Sequence, residues 1–211
     1  MAKNQVSSSV IKRLPRYYRF LEELKGQNVT RISSQELAEL MGFTASQIRQ
    51  DLNCFGGFGQ QGYGYNVSQL HMEISKILGI NNLRKTILIG AGNLGKAVAS
   101  HIEFEKKGCQ LIGIFDNNPK LCGQIIAGNK VLDINSLESF CTENNPAVAV
   151  LCIPKSVAKD ISEKLIKLGI YAFWNFSHYD IKTGSHENII VENVHLADSL
   201  MILSYKINNK E

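Results

Sequence analysis

Apolar side chains recur at three- and four-residue steps across residues 8–24, where Val10, Leu14, Tyr17, Leu21 and Leu24 would share one helical face. Pro15 falls inside this pattern, so it either interrupts the helix or lies in its first turn. In the next segment, ISSQELAELMG, Ser33 or Ser34 can cap a helix, Leu37 and Leu40 are expected to point inward, and Gly42 ends it. A further helix opens at Thr44, with Ile48 and Leu52 four residues apart. Two short helices joined by a tight glycine turn predict a helix-turn-helix. Glycines and aromatics alternate in GGFGQQGYGYNV, as in a short β-hairpin, which would form a wing. Residues 68–80 read as a linker helix carrying Leu70, Ile74, Ile77 and Leu78.

From Thr86 the texture changes to alternating strand and helix. TILIG, QLIGIFD, VAVLCIP and YAFWNF are short, nearly continuous apolar runs, and NLGKAVASHIEFEKKG and SVAKDISEKLIKLG are helical between them. Strands of that kind are buried on both faces, so the fold class is α/β: a doubly wound, Rossmann-type parallel sheet behind an N-terminal winged helix-turn-helix. The expected boundaries are 1–80 for the winged helix, 81–192 for the sheet domain and 193–211 for a C-terminal helix.

Composition narrows the class without deciding it. Of the 211 residues, 44% are hydrophobic and 20% charged, the proportions of a soluble globular protein rather than a disordered one. No apolar run approaches the roughly 18 residues of a membrane span, and the N-terminus MAKNQVSSSVIKR carries no signal-peptide pattern, so a cytoplasmic location is expected. The five cysteines form no C-x-x-C pair or zinc spacing, which suits reduced thiols and no metal. The net charge of +4 is mild but unevenly spread. Residues 1–35 hold Lys3, Lys12, Arg13, Arg16, Arg19, Lys25 and Arg31 against Glu22 and Glu23, which suits a polyanion, although a solvated basic face would look the same.

The sharpest chemical signal is Gly90-Ala91-Gly92-Asn93-Leu94-Gly95, a G-x-G-x-x-G that follows an apolar strand and opens a helix. Gly90 would allow the tight turn, Gly92 the approach of backbone to a pyrophosphate, and Gly95 the close packing of helix on strand. About twenty residues on, the second strand ends at Asp116-Asn117, where a carboxylate can hold a ribose 2′-hydroxyl and would repel a 2′-phosphate. NADH or NAD+ is therefore favoured over the phosphorylated dinucleotides. Ile153-Pro154 and Asn175-Phe176 end later strands and should border the same crevice, Asn175 offering an amide to a nicotinamide and Phe176 an apolar wall; core packing is the alternative for Phe176 and its neighbour Trp174. In the second helix of the helix-turn-helix, Ser46, Gln47, Arg49 and Gln50 are the polar positions free to reach base edges, arginine toward guanine and glutamine toward adenine. Gln60, Gln61 and Tyr63 of the wing would reach the backbone or minor groove. The exposed face of a small helical domain would show the same residues.

Taken in order, ISSQELAELMGFTASQIRQDLNCFGGFGQQGYGYNV, GAGNLGKA, GIFDNNP, VLCIP, WNFS and VENVHLADSL resemble the Rex redox-sensing repressors over nearly the whole chain. The resemblance implies a homodimer that exchanges its C-terminal helix, here about His195 to Lys206 with Leu196, Leu200 and Leu203 as the buried stripe. It also implies a palindromic operator upstream of genes for fermentation and NADH reoxidation, with NADH releasing the DNA and NAD+ permitting binding. Gly90, Gly92, Gly95 and Asp116 would then hold the dinucleotide, and Gln47 and Arg49 would lie in the recognition helix. Gln50, Gln60 and Gln61 stand where many members carry basic residues, which predicts a variant operator. His101 stands where the family often has a tyrosine, so the resemblance does not carry over that tyrosine's contact to the exchanged helix. Two rivals remain: an NAD-dependent dehydrogenase, for which no catalytic arrangement of the histidines is visible, and a DNA-binding sensor of another ligand such as a CoA derivative.

Overall fold

The computed structural model describes residues 6–60, 63–182 and 188–209. The chain divides into two compact units, Met1–Asn81 and Asn82–Glu211.

The first unit begins with α1 (Ser8–Gly26), which Ser7 caps and which runs on through Pro15. The proline neither interrupts the helix nor lies in its first turn. Its ring removes one backbone donor, and both Pro15 and Ile11, whose carbonyl loses that bond, lie on the exposed face. After β1 (Arg31–Ile32) come α2 (Ser34–Met41) and α3 (Ala45–Asn53), joined through Gly42 in the left-handed region at φ 66°. Ser33, rather than Ser34, is the cap of α2: its hydroxyl accepts from the Glu36 amide at 3.1 Å, and Glu36 accepts from the Ser33 amide at 2.7 Å. The buried stripe of α2 is Leu37, Ala38 and Met41, and Leu40 is 49% exposed rather than turned inward. A helix advances about 100° per residue, which places Leu40 well off the centre of that stripe.

Thr44 caps α3 by accepting from the Gln47 amide, and Ile48 and Leu52 are buried beneath it. The hairpin of β2 (Gly59–Gln60) and β3 (Gly64–Asn66) forms the wing, and β1 pairs with β3 on its other side. Gln61 and the side chain of Gln60 lie outside the described residues. α4 (Val67–Leu78) closes the unit, burying Leu70 and Ile74 and only partly covering Ile77 and Leu78.

The second unit alternates β4 (Arg84–Ile89), α5 (Asn93–His101), β5 (Cys109–Asp116), β6 (Ile125–Ile126), β7 (Asn129–Asp133), α6 (Leu137–Asn144), β8 (Val148–Leu151), α7 (Lys155–Lys167), β9 (Ala172–Asn175), β10 (Ile190–Asn193) and α8 (Leu196–Asn208). The sheet order is β10-β9-β8-β4-β5-β7-β6, parallel throughout except for the edge strand β6. The chain leaves β4 toward β5 and later returns to its other side with β8, so strand order reverses at β4. That reversal leaves a crevice beyond the carboxyl ends of the strands. The helix expected over 93–108 stops at His101. Phe104 turns into the core there, edge-on to Trp174 at 6.5 Å, and only a single 3-10 turn follows.

Candidate functional site

The ends of β4, β5 and β8 border a crevice of about 600 Å³. Its floor is the glycine loop, and the three glycines do different work. Gly90 has φ +97°, and a Cβ there would strike the Cys152 carbonyl. A Cβ on Gly95 would fall on the carbonyl oxygen of Gly90, so that glycine lets α5 lie close against the loop. Gly92 is the N-cap of α5 at φ −68°, and a Cβ there meets nothing within 4 Å. The protein's own packing therefore requires glycine at Gly90 and Gly95, whereas at Gly92 the space is open. Open space in front of unpaired amides at a helix N-terminus is what an anionic group needs.

Asp116 ties this loop to the end of β5. Its Oδ2 accepts from the Ala91 amide at 2.6 Å and its Oδ1 from the Asn118 amide at 2.7 Å. An ionised carboxylate offers about four lone-pair directions, so two remain for hydroxyl donors. Gly90, Gly92, Asn93, Leu94, Asp116, Asn117, Ile153 and Pro154 all line the crevice. Ala91 and Gly95 are buried beneath it.

Asn175 and Phe176 do not line it. Asn175 is fully buried and gives its amide hydrogens to the Tyr179 carbonyl at 2.7 Å and the Asn193 side chain at 2.8 Å. Its oxygen accepts from Ser177 twice. That amide is spent bracing the turn after β9 against β10, and none of it is left for a ligand. Phe176 packs edge-on against Trp174 at 4.8 Å in the core. The crevice instead gains Ile134, Cys152, Val157 and Ile161. Val157 and Ile161 are four apart on α7, a spacing indistinguishable in sequence from an ordinary core stripe. Burial pushes the Cys152 thiol up to about 12, so it serves as an apolar wall rather than a nucleophile.

In the first unit, Ser46, Arg49 and Gln50 stand exposed on α3 and Gln47 is half-buried. Arg49 donates to the Ser34 hydroxyl at 2.9 Å. Tyr63 is exposed on the wing, with the Arg31 guanidinium 6.0 Å over its ring. Part of the basic excess is turned to internal use. Arg16 donates to the Met41 carbonyl and lies 4.8 Å over Phe43, while Arg13 points inward to Asp51 through two bonds of 2.7 Å. Asp51 is only 1% exposed, and no local pattern marks it, because Arg13 and Tyr17, which donate to it, stand on another helix. Lys3 lies outside the described residues. Cys54 is exposed after α3, with its thiol toward the Gln50 carbonyl.

Residues 5–53 match the family model described as "Putative DNA-binding protein N-terminus", and residues 81–179 match the one described as "CoA binding domain". The redox-sensing transcriptional repressor Rex of Thermoanaerobacter pseudethanolicus is 54% identical over 209 residues, covering 99% of this chain and 92% of the relative. The crystal structure of RSP with β-NAD+ and operator DNA is 53% identical with a TM-score of 0.89, covering 97% of this chain and 94% of that one. RSP with β-NADH is 50% identical with a TM-score of 0.88, covering 98% and 96%. Identity above one half, sustained from the winged helix through the nucleotide crevice, places the chain in the Rex family of redox-sensing transcriptional repressors.

Proposed function

We propose that this chain is a cytoplasmic transcriptional repressor that binds palindromic operator DNA as a homodimer and is released by NADH, so that the NADH/NAD+ ratio sets transcription of fermentation and NADH-reoxidation genes. The observation that carries the reading is the space open at Gly92 beside Asp116, a cradle for a pyrophosphate with a free ribose next to it. RSP has been captured with NAD+ on operator DNA and separately with NADH, which supports two redox forms of one ligand with opposite consequences. The first amides of α5 would face the pyrophosphate, Asp116 the ribose hydroxyls, and Ile153, Pro154 and Val157 the apolar parts of the ligand. The bound dinucleotide supplies a ring that is cationic when oxidised and neutral when reduced. An apolar lining favours the neutral form, because burying an unpaired charge is costly. Such a difference moves the DNA-binding equilibrium only as far as the two forms differ in affinity for its two states, about 1.4 kcal/mol per tenfold.

The family-model match to a CoA binding domain raises a second ligand on the same sheet. The adenosine ribose of CoA carries a phosphate, which a carboxylate at Asp116 would repel, so the unphosphorylated ribose is the better fit. The dehydrogenase reading yields to repressor relatives that match along the whole chain.

Dimerisation would proceed through α8. None of its residues is buried, and Leu196, Leu200 and Leu203 are 60%, 64% and 51% exposed. An apolar helix left this bare needs a partner surface. Leu200→Asp with Leu203→Asp is expected to give a monomer by sedimentation velocity. Its operator affinity should fall about a hundredfold, because the second half-site no longer binds intramolecularly. A dimer that survives both changes would refute the exchanged helix.

The function itself is tested by fluorescence anisotropy on a labelled palindromic operator at fixed salt, titrated with NADH, NAD+ and CoA in turn. NADH is expected to release the DNA at low micromolar concentration while NAD+ does not. Binding that ignores both nucleotides would move the sensor to another ligand.

A further inference from the structure

Among the described residues, Asp51 is the one buried acid of the first unit, and all its acceptor directions are occupied. Arg13 donates from Nε to Oδ2 and from Nη2 to Oδ1, both at 2.7 Å. The Tyr17 hydroxyl donates to Oδ2 at 2.9 Å. The fourth bond comes from the outer side of α3, where Gln47 Nε2 donates to Oδ1 at 2.7 Å from one turn earlier. The Arg13 fork supplies the charge that lets the carboxylate stay ionised in a core.

An ionised carboxylate only accepts hydrogen bonds. Facing it, the Gln47 amide must present nitrogen inward and oxygen outward. A glutamine on an open helix face would show either edge by turning over its terminal amide. Here one amide hydrogen is held by Asp51, and when that is the hydrogen anti to the oxygen, the carbonyl oxygen and the second hydrogen are left side by side. That pair complements the major-groove edge of adenine, which offers the N6 donor beside the N7 acceptor. Guanine offers two acceptors, and its O6 would meet the amide oxygen.

We infer that Asp51 is a positioning residue that locks Gln47 in the amide orientation that reads adenine and rejects guanine in the operator. The inference rests on α3 being the recognition helix. Gln47 is also half-buried and tethered before DNA arrives, so little side-chain freedom is lost on binding.

The test uses the full-length protein and an operator selected from randomised palindromes. Each A·T pair of a half-site is replaced singly by G·C, and each adenine by 7-deazaadenine, which lacks N7. The parent protein should show one position where G·C weakens binding about tenfold or more, with a smaller loss for 7-deazaadenine. Gln47→Met should abolish that penalty and leave the others in place. Asp51→Asn, which can donate to Gln47 and turn its amide over, should lower the same penalty relative to the others, on top of any uniform loss from the weakened Arg13 pair.

If Asp51 serves only to hold α1 to α3, its variant would weaken all operators by one factor and leave the penalty at that position unchanged, and that result overturns the inference. So does a Gln47→Met profile identical to the parent's. Should Asp51→Asn fail to fold, ¹⁵N relaxation of the Gln47 side-chain amide in the parent protein decides. An order parameter near about 0.8 supports the lock, and one below about 0.6 refutes it. Failure to bind any operator would remove the reading of α3 and this inference together. Sequence-selective binding with no penalty that follows Gln47 would remove only the inference.

Discussion

Gly92→Ala is expected to fold like the parent chain and to lose its dinucleotide. The backbone there, at φ −68° and ψ −169°, suits alanine, and the added methyl meets nothing within 4 Å. Its only effect on the free protein is to restrict the unfolded chain, which leaves the melting temperature unchanged or slightly raised. The methyl occupies the space into which a pyrophosphate must come to reach the first amides of α5. NADH affinity by calorimetry should fall about a hundredfold, the order lost when a close backbone contact to an anion is blocked, about 2.7 kcal/mol. Gly95→Ala should behave oppositely. Its methyl would fall on the Gly90 carbonyl oxygen, so α5 or the loop must move. Overpacking of that kind costs about 3 kcal/mol, which a thermal melt would read directly. If Gly92→Ala bound NADH as tightly as the parent, the crevice would not receive the phosphates at this loop.

The contrast between these two glycines marks where the sequence stops being legible. The G-x-G-x-x-G pattern, its preceding strand and Asp116 could all be read from local spacing, because turn geometry and helix starts are set by neighbours in the chain. Which glycine serves the fold and which the ligand depends on the Cys152 carbonyl and the crevice in front of Gly92, and neither is local. The surroundings of Asn175 are non-local in the same way. A polar residue at the end of a parallel strand is well placed for a ligand, but here Tyr179, Ser177 and Asn193 consume its hydrogen-bonding capacity. Leu40 shows the limit of periodicity in an eight-residue helix. A shift of the stripe by part of a turn still matches most of its apolar positions, and only the neighbouring helices select the buried set. The helix starts at Ser33 or Ser34 and at Thr44 were readable because caps act within three residues, and the hydrogen bonds then select Ser33 and make Thr44 a cap.

Asp51→Ala is expected to destabilise the first unit by about 3 kcal/mol, since it leaves a partly covered Arg13 charge and the buried Tyr17 hydroxyl without their acceptor. In a unit of 81 residues, each kcal/mol moves the melting temperature about 4–8 °C, so a fall beyond ten degrees should be plain. The pH dependence gives the finer test. Burial acts to raise the Asp51 pKa, but hydrogen bonds from Arg13, Gln47 and Tyr17, with the Arg13 charge, outweigh it and hold the carboxyl below its ordinary value. A carboxyl depressed by folding contributes stability above the unfolded value of about 3.9, and the contribution is lost as pH falls through the folded pKa. His71, stacked on Tyr18 at 4.4 Å, is also held below its ordinary value, by burial first and then by Lys25. Its contribution is therefore present above about pH 6.5 and drains away as acid protonates it. The parent's melting temperature should fall in two stages on acidification. His71→Phe should remove the upper stage and Asp51→Ala the lower one. A parent and an Asp51→Ala variant that lose stability in parallel below about pH 4 would mean that the carboxylate is not what holds α1 to α3.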